Sequence, residues 1–340
     1  MSAAAPAEVT AALRRLGLVG ADEVPALTPL TGGVASDIWR VDAERGPFCV
    51  KRALAKLKVA ADWRAPVIRN VYEVAWFEAV ADSVPEAVPE ILGHDPEAGL
   101  FAMAWLDPAE HRLWKADLAA GIADPAVAYA VGDRLGRIHA ATAARPELAA
   151  RFPTDEIFHA IRLEPYLEAA ARARPDVAAE LGALVSRTAA TKRCLVHGDV
   201  SPKNIQVGPT GPLFLDAECA WWGDPAFDLA FCLNHLLLKC LWVPKAASGF
   251  LRCFERMTAA YFARVDWEDP AALEARVTSL LPGLFLARVD GKSPVEYLVE
   301  EGDRERVRGA ATRWLKSPPA TLAALREEWR MELMAEGGRT

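Results

Sequence analysis

The N-terminal third of the chain consists of short apolar runs separated by turn residues. Residues 8–18 carry apolar side chains at helical spacing and end near Gly17, which predicts a short amphipathic helix. The runs that follow are short and are bounded by turn residues, which is typical of strands. They lie at residues 27–30, 38–41, 48–51, 91–94 and 100–106. The pattern predicts a small antiparallel sheet with one strand for each run.

One predicted helix, at residues 70–82, separates the third strand from the fourth. Its apolar face carries Trp76 and Phe77, and Glu73 lies on the same face. A carboxylate on an apolar face is costly unless a cation pairs with it. Glu73 is therefore predicted to have a buried partner, in preference to Glu78, which has a less apolar neighbourhood.

From residue 107 onward the composition becomes helical. Predicted helices occupy residues 127–142, 164–173, 177–188, 224–238 and, with breaks, 250–333. The longest apolar segment, residues 229–243, is interrupted by Asn234, His235 and Lys239. It is therefore too short and too polar to span a membrane.

Two apolar runs near the middle of the chain each end in a polar cluster. Residues 194–196 lead to Asp199, and residues 213–215 lead to Asp216. The spacing predicts two small strands, joined through a hairpin-like turn at 208–212, that deliver acidic side chains at their ends. A solvated loop with ordinary capping and turn acids is the alternative. An acid directly after three apolar residues is not typical of such a loop.

These acids suit phosphoryl transfer. That reaction needs a carboxylate that receives a hydroxyl proton, and acid and amide oxygens that hold magnesium ions against the phosphates. Asp199 is the candidate catalytic base. Asn204, which lies five positions later, and Asp216 are the candidate metal ligands. The order of these three residues is that of the catalytic loop and the metal-binding aspartate of protein kinases.

A basic strand end and a glycine turn complete the candidate nucleotide site. Lys51 ends the third predicted strand, and in the kinase arrangement such a lysine binds the α- and β-phosphates and pairs with a helix glutamate, here Glu73. Gly32, Gly33 and Ser36 lie between two predicted strands, where glycines let backbone N–H groups approach phosphates closely. The alternatives are a surface lysine on an edge strand and a plain hairpin turn.

The central segment resembles the aminoglycoside phosphotransferase and choline kinase family, whose loop reads H-G-D-x-x-x-x-N. The matching residues are His197, Gly198, Asp199, Asn204, Asp216, Gly223, Asp224, Pro225 and Asp228. The resemblance implies an α+β, bilobal protein-kinase-like fold that binds ATP and Mg²⁺ between its lobes. A small antiparallel sheet lobe would span residues 1–105, and a large helical lobe would span residues 106–340. A hinge would follow at 103–106, with Met103 and Trp105 beside adenine.

Two further features belong to the same resemblance. Asp228 matches a family aspartate that braces the backbone of the catalytic loop, so we interpret it as structural rather than catalytic. Residues 51–66 are similar to the 5-methylthioribose kinases, a branch of the same superfamily, with Trp63 and Pro66 in the matching places. The resemblance extends over residues 25–290, and the catalytic segment is its most specific part.

Three residues are candidate contacts for the phosphate acceptor. Glu218, two positions after Asp216, is predicted to lie on the same side of a strand and to assist the metal or the substrate. Trp222 is a second candidate. Arg288 resembles an arginine that contacts substrate in methylthioribose kinases, although a cation that ends a helix is at least as good an interpretation.

The composition and the net charge favour some classes of protein over others. Hydrophobic residues make up 52% and charged residues 25% of the 340 residues, which is typical of a globular chain with a sizeable core. The formal net charge of −7 disfavours a nucleic-acid partner, because such partners usually require a basic surface. The cysteines form no C-x-x-C pair and no signal-peptide pattern is visible, so we expect a cytoplasmic protein without a membrane partner.

The sequence therefore predicts an ATP-dependent and magnesium-dependent kinase that transfers the γ-phosphate to a hydroxyl group of a small molecule. A protein substrate is disfavoured because no D-F-G or A-P-E signature is present. The acceptor is left open among an aminoglycoside, a sugar, a thio-sugar and an amino alcohol. A nucleotide-binding pseudokinase or scaffold is disfavoured because every candidate residue is intact. A hydrolase is disfavoured because no histidine cluster is present.

Overall fold

The structure is a computed structural model that describes residues 4–30, 36–54 and 66–337. Three residues discussed above lie outside this part of the chain, namely Gly32, Gly33 and Trp63. The described chain consists of an N-terminal sheet covered by helices and a C-terminal helical region.

The N-terminal part is built on one antiparallel sheet. Its described strands are β1 (Ala26–Pro29), β2 (Ser36–Ala43), β3 (Gly46–Ala53), β4 (Ile91–Asp95) and β5 (Leu100–Ala104). They lie in the order β1-β2-β3-β5-β4, so the predicted sheet is confirmed and β3 is its central strand. Two helices accompany the sheet, α1 (Ala4–Arg15) and α2 (Arg69–Ala81).

Strand β3 directs its side chains to two different helices, because successive residues of a strand point to opposite faces of the sheet. Phe48 and Val50 belong to an apolar cluster with Val9 of α1. Lys51 points to the other face, where it contacts Glu73 of α2. The period-two pattern of the central strand thus brings a lysine into the space between the sheet and α2.

The C-terminal part is mainly helical. Its helices are α3 (Trp114–Ala119), α4 (Pro125–Ala143), α5 (Asp155–Phe158), α6 (Ala169–Ala173), α7 (Ala178–Ala190), α8 (Ala226–Trp242), α9 (Ala247–Phe262), α10 (Pro270–Asp290), α11 (Glu301–Lys316) and α12 (Leu322–Gly337). A π-helix at His159–Glu168 joins α5 to α6. The short strands are β6 (Arg112–Leu113), β7 (Cys194–Val196), β8 (Ile205–Gly208), β9 (Gly211–Phe214) and β10 (Trp221–Gly223).

Helix α8 forms the centre of the helical part. Nearly all of its residues are buried, because α9 and α10 pack against it. A helix that is apolar on all sides requires such surroundings. His235 and Lys239 are polar residues that are nevertheless buried on this helix.

Helices α4 and α9 approach closely at a glycine. A Cβ atom at Gly132 of α4 would lie 2.2 Å from the carbonyl oxygen of Met257 in α9. We expect Gly132→Ala to lower the free energy of unfolding by about 1–3 kcal/mol, the usual cost of overpacking. Gly182→Ala in α7 is the matched control, because no atom lies within 4 Å of its Cβ position. It should raise stability by about 0.4–1 kcal/mol. Urea unfolding measures both changes, and shifts of the same sign would contradict the prediction.

The predicted pairing in the central segment is wrong. Strand β7, which precedes Asp199, pairs with β10, and Val196 lies opposite Trp221. The hairpin consists instead of β8 and β9. Strand β8 also pairs with β6, so these three strands form one small sheet, and β7 and β10 form another. Asp224, the predicted N-cap, accepts a hydrogen bond from the amide of Ala226 at 3.0 Å, and helix α8 begins at Ala226, one residue later than predicted.

Within the described ranges, no helix combines the length and the apolar character needed to cross a bilayer. The six cysteines are free thiols, and all of them are buried. Buried thiols act as small apolar side chains, which is the role that the sequence predicts for most of them.

Candidate active site

Lys51 and Glu73 form an ion pair between the sheet and α2. Lys51 Nζ donates to Glu73 Oε1 at 2.8 Å, and both side chains are buried. The pairing predicted from the helix face is therefore present. Glu78, the alternative, is exposed and accepts a hydrogen bond from Arg151 at 3.3 Å.

The same lysine also contacts Asp216, so one cation lies between two carboxylates. Burial alone would lower the pKa of Lys51, but Asp216 and Glu73 outweigh it and raise the pKa well above its ordinary value. Burial raises the pKa of Glu73 to about 7, and Lys51 acts in the opposite direction. Lys51 is therefore a permanent positive charge where the sheet meets the central segment.

Asp216 has an unusual backbone conformation. Its φ of 66° lies in the left-handed region, and no other non-glycine residue of the described ranges has a positive φ. Such conformations persist only where the surroundings hold them, and they cluster at functional sites. Burial would raise the pKa of Asp216, but Lys51 and Lys203 outweigh it and lower the pKa well below its ordinary value. Asp216 is thus an ionised carboxylate held in a fixed position.

Glu218 does not share a strand with Asp216. Strand β9 ends at Phe214, and the left-handed residue turns the chain away from the strand direction, so that prediction is wrong. Arg69 of α2 donates from Nε to Glu218 Oε2 at 2.8 Å. This ion pair ties α2 to the segment after Asp216. Sequence reasoning missed Arg69, because its partner lies far away in the chain.

The loop that carries Asp199 is fixed by Asp228 at the start of α8. The backbone amides of His197 and Gly198 donate to the two carboxylate oxygens of Asp228, at 2.7 and 2.8 Å. Gly198 has a φ of 79°, and a Cβ atom there would lie 2.6 Å from the carbonyl oxygen of Cys219. The loop therefore requires glycine at this position. These contacts agree with the structural interpretation of Asp228.

Asp228→Asn is expected to lower the free energy of unfolding by about 1–3 kcal/mol, because an amide offers one acceptor oxygen where two backbone N–H groups need partners. Asp228 is fully buried, so solvent does not replace the lost acceptor. Asp82→Asn is the control. Asp82 accepts a hydrogen bond from Arg145, but its side chain is 59% exposed, so the loss should stay below about 1 kcal/mol. Equal losses in chemical denaturation would contradict the prediction.

His197 links the two acidic segments. Its Nδ1 accepts from the amide of Asp199 at 3.1 Å, and its Nε2 donates to the carbonyl oxygen of Leu215 at 3.1 Å. The Asn204 carbonyl oxygen forms a second link, because it accepts from the amide of Leu215 at 2.9 Å. Burial lowers the pKa of His197, which favours the neutral ring that these bonds require. Asp199 and Asp216 are thereby held on two adjoining loops.

The Asp199 carboxylate has one bound oxygen and one unused oxygen. Oδ2 lies 2.9 Å from Arg162 and 3.1 Å from Lys203. Oδ1 is buried and has no hydrogen-bond partner among the residues that the structure describes. Burial would raise the pKa of Asp199, but Lys203 and Arg162 outweigh it and hold the pKa below its ordinary value. An ionised carboxylate with an unused oxygen is suited to receive a proton.

Sequence reasoning missed both cations that contact Asp199. Lys203 lies four residues after Asp199 in the same loop, so the spacing could have indicated it. Arg162 lies on the π-helix and also donates to the carbonyl oxygen of Gly198. Helical turns of this kind are rare and often mark functional sites, but no sequence signal predicts one here.

Asn204 and Asp216 are the side chains that fit a divalent cation. Asn204 Nδ2 donates to the carbonyl oxygen of Asp199 at 3.0 Å, which leaves the amide oxygen available as a ligand. In the described part of the chain, no group of three His, Cys, Asp or Glu side chains could hold a metal alone. Mg²⁺ is usually held by one or two carboxylates together with substrate phosphates. The two residues therefore fit a site that a nucleotide would complete.

The other predicted residues are distributed over several elements. Ser36 is buried at the start of β2. Met103 lies in β5, Trp105 follows that strand, and both are half-buried. Trp222 is half-buried on β10 against the core. Arg288 is buried in the last turn of α10 and lines a cavity beside the Asp199 loop.

Two solved structures resemble this fold over nearly the whole chain. A choline/ethanolamine kinase family protein from Mesorhizobium loti has a TM-score of 0.54 and 17% identity, covering 94% of this chain and 99% of that chain. The amicoumacin kinase hAmiN, in complex with AMP-PNP, Ca²⁺ and Ami, has a TM-score of 0.52 and 14% identity, covering 94% and 98%. At these identities the similarity concerns the fold, and it confirms the α+β, bilobal, protein-kinase-like class.

The fold is that of kinase-like phosphotransferases, and the family of the chain makes it an enzyme with an alcohol group as acceptor. The family model described as the phosphotransferase enzyme family matches residues 26–273, and the chain belongs to this family. The predicted family resemblance and enzyme class are therefore confirmed.

Two curated relatives are methylthioribose kinases. The methylthioribose kinase of Pectobacterium carotovorum is 28% identical over 291 residues, which covers 72% of this chain and 71% of the relative. Methylthioribose kinase 2 of Oryza sativa is 22% identical over 229 residues, which covers 59% of this chain and 53% of the relative. The local resemblance inferred around residues 51–66 thus belongs to a similarity that extends over much of the chain.

Proposed function

We propose that this enzyme is an ATP-dependent kinase that uses Mg²⁺ and transfers the γ-phosphate to a hydroxyl group of a small molecule. One observation carries the proposal. Asp199, with its unused Oδ1, is joined through His197 and Leu215 to the segment in which Asp216 contacts Lys51. Asp199 supplies a base, and Asp216 and Lys51 supply the charges that a triphosphate and its metal require.

In the proposed reaction, Asp199 receives the proton of the acceptor hydroxyl. The hydroxyl oxygen forms a bond to the γ-phosphorus while the bond from that phosphorus to the β–γ bridging oxygen breaks, which yields a phosphate ester and ADP. Asn204 and Asp216 would hold Mg²⁺, which neutralises charge on the phosphates when bound. Lys51, held by Glu73, would bind the α- and β-phosphates. Positioning and charge neutralisation would supply most of the rate.

We infer that the nucleotide binds between two lobes. The sheet lobe would comprise residues 1–105, and the helical lobe would comprise residues 106–340. Residues 103–106 would form the hinge that binds adenine through backbone groups, with Met103 and Trp105 beside the base. Ser36 would contact the phosphates at the start of β2. Gly32 and Gly33 would complete the phosphate contacts, and they lie outside the described residues.

A library of hydroxylated metabolites, incubated with the purified full-length protein and Mg·ATP, tests the proposal. The expected result is release of ADP that depends on an added acceptor and stops when a chelator removes Mg²⁺. Calorimetry should show that the protein binds Mg·ATP. A protein that binds Mg·ATP but turns over no acceptor would be the pseudokinase or scaffold. Absence of Mg·ATP binding would also overturn the proposal.

A further inference from the structure

A small, strongly basic cavity lies beside the loop that carries Asp199. Its volume is about 40 Å³. The catalytic loop, α3, α8 and α10 all contribute to its wall. The charged or titratable residues of the wall are Lys115, Lys203, His235, Lys239, Arg288 and Glu296. Basic side chains thus outnumber the acidic one.

Lys239 is a buried basic group without a counter-ion. It is 1% exposed, and no carboxylate of the described residues forms an ion pair with it. Its ammonium group lies 4.5 Å from the ring centroid of Trp242 and 4.6 Å from that of Tyr297. Such contacts with aromatic rings stabilise a cation only in part. Burial of an unpaired charge is costly, so packing alone does not explain why a lysine occupies this position.

The acidic side chains near the cavity are already paired with other cations. Glu296 accepts a hydrogen bond from Lys115. Asp199 pairs with Lys203 at 3.1 Å. Neither carboxylate forms an ion pair with Lys239.

Arg288 is a second cation that has only neutral partners. It donates to the side-chain oxygens of Ser293 and Tyr166, at 3.1 and 3.3 Å, and to the Ser293 carbonyl oxygen. Its Nε is buried and has no partner among the described residues. The hydroxyl groups of Ser201 and Tyr297, which also line the cavity, are buried and likewise lack partners there. The wall thus combines uncompensated positive charge with unused hydrogen-bond donors.

The pKa shifts of the residues that line the cavity agree with this geometry. Burial lowers the pKa of Lys239 to about 7, Lys115 and Arg288 act in the same direction, and Glu296 opposes them. Burial also lowers the pKa of His235 well below its ordinary value, with Arg288 and Lys239 adding to the effect. An anionic group in the cavity would raise the pKa of Lys239 and keep it charged at neutral pH.

We propose that this cavity binds an anionic group of the acceptor, a carboxylate or a phosphate, so that the acceptor is a hydroxylated acid rather than a cationic or neutral alcohol. The inference rests on the proposed function. At about 10–15 Å³ for each water-sized group, the volume holds about three such groups, which suits a carboxylate or the outer oxygens of a phosphate and not a whole sugar ring. The remainder of the acceptor would extend toward Asp199, because Lys203 lines the cavity and also contacts the Asp199 carboxylate.

Matched acceptors test the inference on the full-length protein. Release of ADP is measured with gluconate against glucose, with ribose 5-phosphate against ribose, and with kanamycin and choline as cationic alcohols. We expect kcat/KM to be about tenfold or more higher for an anionic member than for its neutral counterpart, the effect of one charge-assisted hydrogen bond. The first pair reports on a carboxylate and the second on a phosphate. A preference for neutral or cationic acceptors would overturn the inference while leaving the kinase proposal intact.

Two simple anions test the cavity directly. Acetate and inorganic phosphate are titrated against the protein while Mg·AMP-PNP occupies the nucleotide site, and the melting temperature is recorded. Protection by either anion is expected, and protection by neither would overturn the inference. Failure of Mg·AMP-PNP itself to raise the melting temperature would instead contradict the kinase proposal.

Lys239→Met removes the unpaired charge and keeps a similar volume. We expect the affinity for the protecting anion to fall about tenfold or more, and the melting temperature without anion to stay equal or to rise. Lys245→Met is the matched control, because Lys245 is exposed and does not line the cavity, and it should leave anion affinity unchanged. Unchanged anion affinity in Lys239→Met would overturn the inference. If that variant does not fold, Arg288→Gln provides the same test.

Discussion

Asp199→Asn is expected to lower kcat by about 10²–10⁴-fold, the usual contribution of a positioned general base. Asparagine keeps the size of the side chain but does not receive a proton at neutral pH. Arg162 should stay in place, because it also donates to the carbonyl oxygens of Gly198 and Ile161. We therefore expect a folded variant that still binds Mg·ATP. Steady-state release of ADP measures kcat, and calorimetry measures nucleotide binding.

Asp133→Asn is the control for this substitution. Asp133 also accepts a hydrogen bond from an arginine, Arg264, at 2.7 Å, but it is partly exposed on α4 and has no ion pair with a described residue of the candidate site. The control should retain full turnover. Near-normal turnover in Asp199→Asn would refute the assignment of the base, whereas a loss of turnover in both variants would indicate a general effect of lost arginine contacts.

Asp216→Asn should lower kcat/KM for Mg·ATP by about a hundredfold or more, because a fixed charge that positions the metal and Lys51 is removed. The Mg²⁺ concentration that gives half-maximal activity should also rise, since an amide is a weaker ligand than a carboxylate. Asparagine is chosen because it tolerates the left-handed conformation that Asp216 adopts at a φ of 66°. The measurement is a titration of activity with Mg²⁺ at saturating acceptor.

Asp216→Ala separates the charge from the backbone conformation. Alanine adds a cost of about 1–2 kcal/mol in the left-handed region, so this variant should also lose stability. The asparagine variant should not share that loss. An asparagine variant with the Mg²⁺ dependence of the original enzyme would exclude Asp216 as a metal ligand.

Periodicity predicted the parts of the molecule that depend on local pattern. The kinase arrangement indicated that Lys51 pairs with a helix glutamate, and the apolar face of α2 was enough to choose Glu73 over Glu78. The order of Asp199, Asn204 and Asp216 along the chain was enough to indicate a site. Their catalytic and metal-binding roles stay predictions.

Contacts between distant segments could not be predicted in the same way. Strand β7 pairs with β10, which lies much later in the chain. Turn residues in a sequence predict pairing only between strands that follow each other directly. Arg162 reaches Asp199 from a π-helix, and the sequence carries no pattern for that turn. Lys239 interrupts an otherwise apolar helix. It lies four positions after His235 and therefore on the same face of the helix. The spacing of these two polar residues could have indicated that both line one cavity.

Helix α1 has a practical consequence for anyone who produces this enzyme. Its Val9 and Leu13 pack with Trp39 and Val41, so the helix supplies the cover for the outer face of the sheet. A truncated protein that lacks α1 would expose Trp39 and Val41 to water, and an exposed apolar sheet face promotes aggregation. Purification tags should accordingly be added ahead of the helix and should not replace it.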